Sequence, residues 1–300
     1  MESELLLACA EWAVDADAAG EVVEAAGHVA NWVRFVELAD EHSLMPVAAD
    51  CLTSCGVDVP AETFAVLKAA WVENAKRVMV LSAELERLLG RFGAAGIRAI
   101  TLKGPALGEA LYRDPAHRFS GDLDLLVRPG DFVRAAALLE SDGYREPGDE
   151  RLRRARRAFR RTTYEALFFN PASGIAVDLH WDLLPPGYPV RFRMPEVWAR
   201  SEGSRLVAED ELAFLCAHAD KHESPSLSRA IDIRLLLKAR PDLTMPERPG
   251  RLARLGYLAR LAVTPTEADW ESRPGLPRLL YYPWRAVRLG WKYLSSARTG

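Results

Sequence analysis

The stretch from Phe119 to Val127 constrains the fold most strongly, because two carboxylates flank one leucine and an apolar run follows them. In a β-strand, alternate side chains share a face, so Asp122 and Asp124 point the same way while Leu123 points into a core. Two like charges this close resist ionisation unless a cation lies between them. A hard divalent ion bound through carboxylates and substrate phosphates is the natural occupant, and Mg²⁺ is the common case.

A later stretch repeats this alternation, with Val177 and Leu179 interleaved with Asp178 and His180. If this strand lies beside the first, Asp178 joins the pair of carboxylates. Three acidic side chains on neighbouring strands can hold one or two Mg²⁺ ions, align a triphosphate and stabilise a leaving pyrophosphate. Asp178 could also take the proton from an acceptor hydroxyl. Asp182 shares the same period-two face and is the alternative third ligand.

The composition is that of a folded protein. The 300 residues are 49% hydrophobic and 27% charged, which is enough apolar material for a core. The net charge of −3 gives no overall attraction to nucleic acid or to an anionic membrane. The four cysteines are few and scattered, so we expect reduced packing residues. No signal peptide and no apolar stretch of about 18 residues is visible, which predicts a cytoplasmic protein with no membrane partner.

Helical periodicity dominates residues 1–92. The pattern changes at Ile97, where β-rich segments begin to alternate with short helices and glycine-containing turns. Helical periodicity returns after about residue 200. The sequence therefore predicts an α+β protein, with a small mixed-sheet core at 93–200 between helical regions at 1–92 and 201–300.

The stretches at 102–104, 120–127 and 177–181 together resemble the uncharacterised nucleotidyltransferase family of the polymerase-β-like superfamily. The helical lead-in and the segment at 218–222 match it in the same order, so the resemblance covers about residues 30–240. A motif becomes informative through such context. The resemblance implies metal-dependent transfer of a nucleoside monophosphate from an NTP, on a small nucleotidyltransferase core.

The resemblance also implies roles for individual residues. Asp122, Asp124 and Asp178 would be the catalytic carboxylates and would hold one or two Mg²⁺ ions, with Mn²⁺ as an alternative. Gly104 would open a phosphate-binding helix. The superfamily's second glycine or serine is here Pro105, which has no N–H to donate to a phosphate.

Neighbouring groups would supply the remaining phosphate contacts. Lys103 would provide charge, Ser120 a hydroxyl and Gly121 a backbone N–H. Arg118, in the loop before the carboxylates, is either a phosphate-binding group or a solvated charge. His180 is a further substrate-site candidate that either orients a carboxylate or water, or is a buried histidine satisfied by a hydrogen bond.

His218, Lys221 and His222 fall at i, i+3 and i+4 and so share one helix face. This is either a cationic face turned toward the triphosphate or a plain solvated face. Two histidines at this spacing can bind zinc, but no glutamate follows His218 as a metalloprotease motif would require.

The arginine run at 151–161 is the strongest local basic patch. It would contact a polyanion such as RNA or form a solvated helix. ATP is the default NTP, and the acceptor is a small molecule, a peptide, a protein or RNA. Two other functions stay open: a non-catalytic nucleotide- or partner-binding module, and an RNA-modifying nucleotidyltransferase.

Overall fold

The computed structural model describes residues 1–148, 163–221, 226–247 and 249–265, together with short pieces between 269 and 288. The described helices are α1 (Glu2–Val14), α2 (Ala19–Gly27), α3 (Trp32–Glu41), α4 (Met45–Ser54), α5 (Ala61–Ala94), α6 (Gly104–Leu111), α7 (Phe132–Ser141), α8 (Met194–Arg200), α9 (Ala208–Lys221), α10 (Leu227–Ala239) and α11 (Arg251–Val263). The described strands are β1 (Ala99–Thr101), β2 (Leu123–Val127), β3 (Glu165–Asn170) and β4 (Ile175–His180).

The described strands form one mixed sheet in the order β1-β2-β4-β3. β2 pairs antiparallel with β1 and parallel with β4, and β3 pairs antiparallel with β4. Gly174, with φ of +71°, closes the β3–β4 hairpin in the left-handed conformation that glycine tolerates. The predicted α+β class, with a small mixed sheet and helices at both ends, is confirmed.

The two faces of the sheet bury different partners because strand side chains alternate. Leu123 and Leu125 of β2 pack in a core shared with the C-terminal part of α5 and with α7. Leu126, on the opposite face, packs with Trp198 of α8 and Phe214 of α9. The second face is therefore apolar around Leu126 and polar at the start of β2, where the carboxylates lie.

Helix α5 has 34 residues and is about 50 Å long at the usual rise per residue. Its Leu67 belongs to the N-terminal helical core. Its Leu81, Leu88 and Phe92 belong to the core of the sheet. One helix thus contributes to both cores, and the predicted boundary at residue 92 falls within its last turn.

The N-terminal helices pack on the C-terminal region as well as on α5. Ile231 and Leu235 of α10 are buried in the same core as Leu5 and Cys9 of α1. Cys9, like the other three cysteines, is a free thiol. Helix α10 therefore connects the N-terminal helices with the face of the sheet that carries the carboxylates.

Some sequence predictions fall on segments outside the described residues, namely the arginine run at 151–161 and His222. Within the described part of the chain, no helix is both long and apolar enough to cross a bilayer.

Candidate active site

A cavity of about 410 Å³ opens on the polar face of the sheet, between β2, β4 and the helices α9 and α10. Every predicted site residue that the structure describes lines this cavity. These residues are Lys103, Gly104, Arg118, Ser120, Gly121, Asp122, Asp124, Asp178, His180, His218 and Lys221. Groups that lie far apart in the chain are thus brought to one concave surface, as in most binding and catalytic sites.

The floor of the cavity carries the carboxylates. Asp124 of β2 and Asp178 of β4 are direct partners in the parallel register, so their side chains emerge side by side. Asp122 immediately precedes β2 and lines the same cavity. Ligand atoms of Asp124, Asp178 and His180 all lie within 4.8 Å of one another. Asp182 instead accepts a hydrogen bond from the backbone N–H of Leu183 at 2.7 Å and does not line the cavity, whereas Asp178 does.

The three carboxylates differ in their pKa values because their surroundings differ. Burial and the charge of Asp124 raise the pKa of Asp178 to about 6. Burial and the same charge also raise the pKa of Asp122. Burial opposes ionisation of Asp124 too, but the Lys103 charge and the His180 hydrogen bond outweigh it and lower the pKa of that carboxyl. The floor therefore holds one carboxylate whose ionised form is stabilised, and two whose ionised forms a bound cation would favour.

Lys103 and Gly104 form the rim above Asp124. Lys103 Nζ lies 2.9 Å from Asp124 Oδ1. Gly104 begins α6 with φ of +63°, and a Cβ at this position would lie 3.3 Å from the backbone oxygen of Asp122. Only glycine adopts this conformation without strain. Glycine at position 104 therefore allows α6 to begin in direct contact with the backbone of Asp122.

Arg118 is largely buried and paired with a carboxylate, so it is not a solvated charge, and its contact with a phosphate stays a prediction. Its Nε and Nη2 donate to the two carboxylate oxygens of Asp232, each at 3.0 Å. Its Nη1 donates to the Gly104 carbonyl at 3.2 Å and lies 3.3 Å from Ser120 Oγ. The side chain therefore ties the loop before β2 to the start of α6.

His180 is a buried histidine in contact with two carboxylates. Its Nε2 lies 3.1 Å from Asp124 Oδ1. Its Nδ1 lies 3.2 Å from Glu165 Oε2 but has no well-angled hydrogen-bond partner among the described residues. Since both ring nitrogens face carboxylates, we expect this imidazole to orient Asp124.

Helix α9 places cationic and aromatic groups opposite the carboxylates. Lys221 Nζ donates a hydrogen bond to the hydroxyl of Tyr164 and lies 5.1 Å from the centre of its ring. Burial lowers the pKa of Lys221, while Glu165, Asp124 and Asp178 act in the opposite direction. His218 lines the same side of the cavity and packs against Phe214. Part of this helix face is therefore turned into the cavity.

Eight of the described cavity residues were absent from the predicted set: Phe119, Tyr164, Glu165, Leu183, Phe214, Leu215, Arg229 and Asp232. Glu165 was within reach of sequence reasoning, because pairing outward from the predicted turn at 170–174 places it opposite His180. Tyr164 directly precedes it. Asp232 carries no local signal, since it meets Arg118 across 114 positions of the chain.

The donor set fits a hard divalent cation. Asp124 and Asp178 offer carboxylate oxygens from adjacent strands, and oxygen is the donor that Mg²⁺ prefers. Asp178 makes no ion pair with the described side chains, and its pKa is raised by burial and by the charge of Asp124. A cation held by Asp124 and Asp178, with Asp122 adjacent, would lower it.

Comparison with known proteins identified one family. A family model described as "uncharacterised nucleotidyltransferase" matches residues 28–263. The matched segment contains the whole described cavity lining, from Lys103 to Asp232. No curated protein matches the chain.

Proposed function

The chain belongs to the uncharacterised nucleotidyltransferase family, and from that premise we propose that it transfers a nucleoside monophosphate from an NTP to an acceptor hydroxyl, using Mg²⁺. The observation that carries the proposal is the register of β2 and β4, which sets Asp124 beside Asp178 on the floor of a cavity of nucleotide size. Without that pairing, the acidic motif would be a common turn or strand-end feature.

Asp122, Asp124 and Asp178 would hold the metal, as one or two Mg²⁺ ions or as Mn²⁺. When bound, the ion neutralises the triphosphate and the developing charge on pyrophosphate. His180 would keep Asp124 oriented through its 3.1 Å contact. Outer contacts of this kind commonly change metal affinity by about 10- to 100-fold.

The triphosphate would lie between the rim and α9. Gly121 would offer its backbone N–H, and Ser120 its hydroxyl. Lys103 would exchange its 2.9 Å ion pair with Asp124 for a phosphate once a metal occupies the carboxylates. Lys221 faces the carboxylates from the other side of the cavity and would bind the opposite edge of the polyphosphate. This bound position would align the α-phosphorus for in-line attack.

In the transfer step, the acceptor oxygen forms a bond to the α-phosphorus while the bond to the bridging α–β oxygen breaks. Pyrophosphate leaves with the electron pair of that bond. The hydroxyl proton would go to Asp178, which lies beside Asp124 on the cavity floor. ATP is the default donor, the cytoplasm supplies both NTP and Mg²⁺, and the acceptor is a small molecule, a peptide, a protein or RNA.

Transfer from NTPs radiolabelled at the α-phosphate tests the proposal, with Mg²⁺ and a cell extract as the source of acceptor. We expect label in one product class together with release of pyrophosphate. Asp124→Asn should lower transfer by about a hundredfold or more, because metal ions contribute several kcal/mol to such transition states. Asp182→Asn is the matched control, since that carboxylate only caps the backbone beyond β4, and it should retain activity.

One observation favours a second function, that of a non-catalytic nucleotide-binding module. The ion pair of Lys103 with Asp124 already compensates the carboxylate that a metal would use. This second function predicts that labelled NTP binds but that pyrophosphate is never released with any acceptor. That outcome would refute the transferase proposal.

A further inference from the structure

Two buried side chains, Tyr112 and Asp232, form a network with the largely buried Arg118 behind the rim of the cavity. Arg118, from the loop before β2, makes a two-oxygen ion pair with Asp232 of α10. Tyr112, at the end of α6, donates its hydroxyl to Asp232 Oδ1 at 2.8 Å. Asp232 is only 4% exposed and Tyr112 only 8% exposed. These bonds are therefore shielded from the water that weakens surface ion pairs.

The network holds the two loops to which we assign the phosphates. Arg118 Nη1 makes no bond to Asp232 and instead donates to the Gly104 carbonyl and to Ser120 Oγ. A guanidinium has a fixed planar fork of donors, so fixing two of its nitrogens on one carboxylate also fixes the direction of the third. A continuous set of hydrogen bonds therefore runs from Asp232 through Arg118 to Gly104 and Ser120.

Asp232 is itself held by packing that involves both helical regions. Its neighbours on α10, Ile231 and Leu235, are buried in the N-terminal helical core together with Tyr112. One turn after Asp232 on the same helix, Leu236 packs with Leu107 of α6. The Asp232 carboxylate is therefore held by helix α10, which is well packed and separate from the loops that carry Gly104 and Ser120.

We infer that Asp232 is a positioning residue for nucleotide binding, which acts through Arg118 on Gly104 and Ser120. The inference rests on the proposed function for the identity of the bound phosphates. It makes helix α10 part of the catalytic unit, although α10 lies outside the segment 93–200 that contains the strands. A displacement of about 1 Å in a positioned group can change a rate by about a hundredfold, so loss of this brace should affect binding and turnover.

Asp232→Asn tests this in the full-length protein, because it keeps the shape of the side chain and removes its charge. We expect the affinity for a fluorescent ATP analogue with Mg²⁺ to fall by about 10- to 100-fold. We also expect faster hydrogen–deuterium exchange at residues 104–107 and 119–121. Asp232→Glu, which retains the charge, should restore part of both properties and is the variant to use if the amide does not fold.

Asp210→Asn is the matched control. Asp210 is also buried and forms a two-nitrogen ion pair, with Arg200 at 2.7 and 3.2 Å, but it does not line the cavity. It should lower thermal stability without changing exchange at 104–107 or 119–121. Arg118→Met combined with Asp232→Asn should bind no worse than the weaker single variant, because the two residues act as one unit.

Unchanged exchange in both loops of Asp232→Asn would overturn the inference, as would equal losses of affinity in Asp232→Asn and Asp210→Asn. If the wild-type protein binds no nucleotide, the proposed function fails. The exchange comparison then still decides whether Asp232 holds the two loops in place, because it needs no ligand.

Discussion

Asp178→Asn should make the metal-free protein more stable at neutral and alkaline pH. The wild-type carboxyl has its pKa raised from 3.8 to about 6, by burial and by the charge of Asp124. A shift of one pKa unit corresponds to about 1.4 kcal/mol, so the full shift is worth about 3 kcal/mol. The side chain is partly exposed, and screening by solvent reduces the expected difference to about 1–3 kcal/mol.

The pH dependence has a definite sign. Below about pH 4, Asp178 is protonated in both the folded and unfolded states, so the two proteins should have similar free energies of unfolding. Between about pH 4 and 6, the unfolded chain loses this proton while the folded chain keeps it, and wild-type stability falls relative to the variant. Above about pH 6, the full difference is present, and the variant is the more stable protein.

Urea unfolding followed by circular dichroism at pH 4, 6 and 8 measures this difference. Millimolar Mg²⁺ at pH 8 should stabilise the wild-type protein and narrow or reverse the gap, because an ion that binds only the folded state adds its binding free energy to stability. Asp182→Asn is the control, and it should respond to Mg²⁺ as the wild type does. The reasoning is refuted if Asp178→Asn is no more stable than wild type at pH 8 without metal.

Two further changes test the rim of the cavity. Gly104→Ala places a Cβ at φ of +63°, 3.3 Å from the backbone oxygen of Asp122, so it should lower the free energy of unfolding in urea by about 1–2 kcal/mol. Gly90→Ala, in open space on α5, is the control and should raise that free energy by about 0.5–1 kcal/mol. Equal effects of the two changes would contradict the strain argument. Lys103→Met removes the ion pair with Asp124. It should weaken ATP binding about tenfold and strengthen Mn²⁺ binding in the absence of nucleotide. Titration calorimetry measures both affinities, and unchanged values would exclude the exchange of Lys103 between carboxylate and phosphate.

Local patterns were sufficient to predict the sheet and its acidic face. The alternation around Asp124 and Asp178 has the two-residue period of a strand, and that period alone determines which side chains share a face. The Gly174 turn fixes the β3–β4 hairpin in the same local way. The fold class and the composition of the cavity floor therefore follow from short stretches of sequence.

The role of Arg118 could not be predicted in this way. A charged residue in a polar loop has the same local appearance whether it faces water, a phosphate or a buried carboxylate. Its partner Asp232 lies 114 positions away, on a helix whose placement depends on packing between distant apolar surfaces. Long-range pairing of this kind leaves no periodic trace in the sequence.

The contribution of one helix to two cores could not be predicted from the sequence, for a related reason. The 34 residues of α5 form one continuous helix, and its periodicity does not reveal that Leu67 and Leu88 enter different cores. Which core a helical face joins depends on the other elements that reach it.

By itself, the sequence determined the elements whose cause is local: the acidic strands, the glycine turns and the helical periodicity. Only the tertiary structure decided which acid completes the site, because Asp178 and Asp182 share a period and differ in whether they lie opposite Asp124. The tertiary structure also decided that Arg118 contacts the rim, since folding places it beside the buried carboxylate of Asp232. The physical reason is that strand and helix periods act over a few residues, whereas burial and charge pairing depend on how distant segments pack.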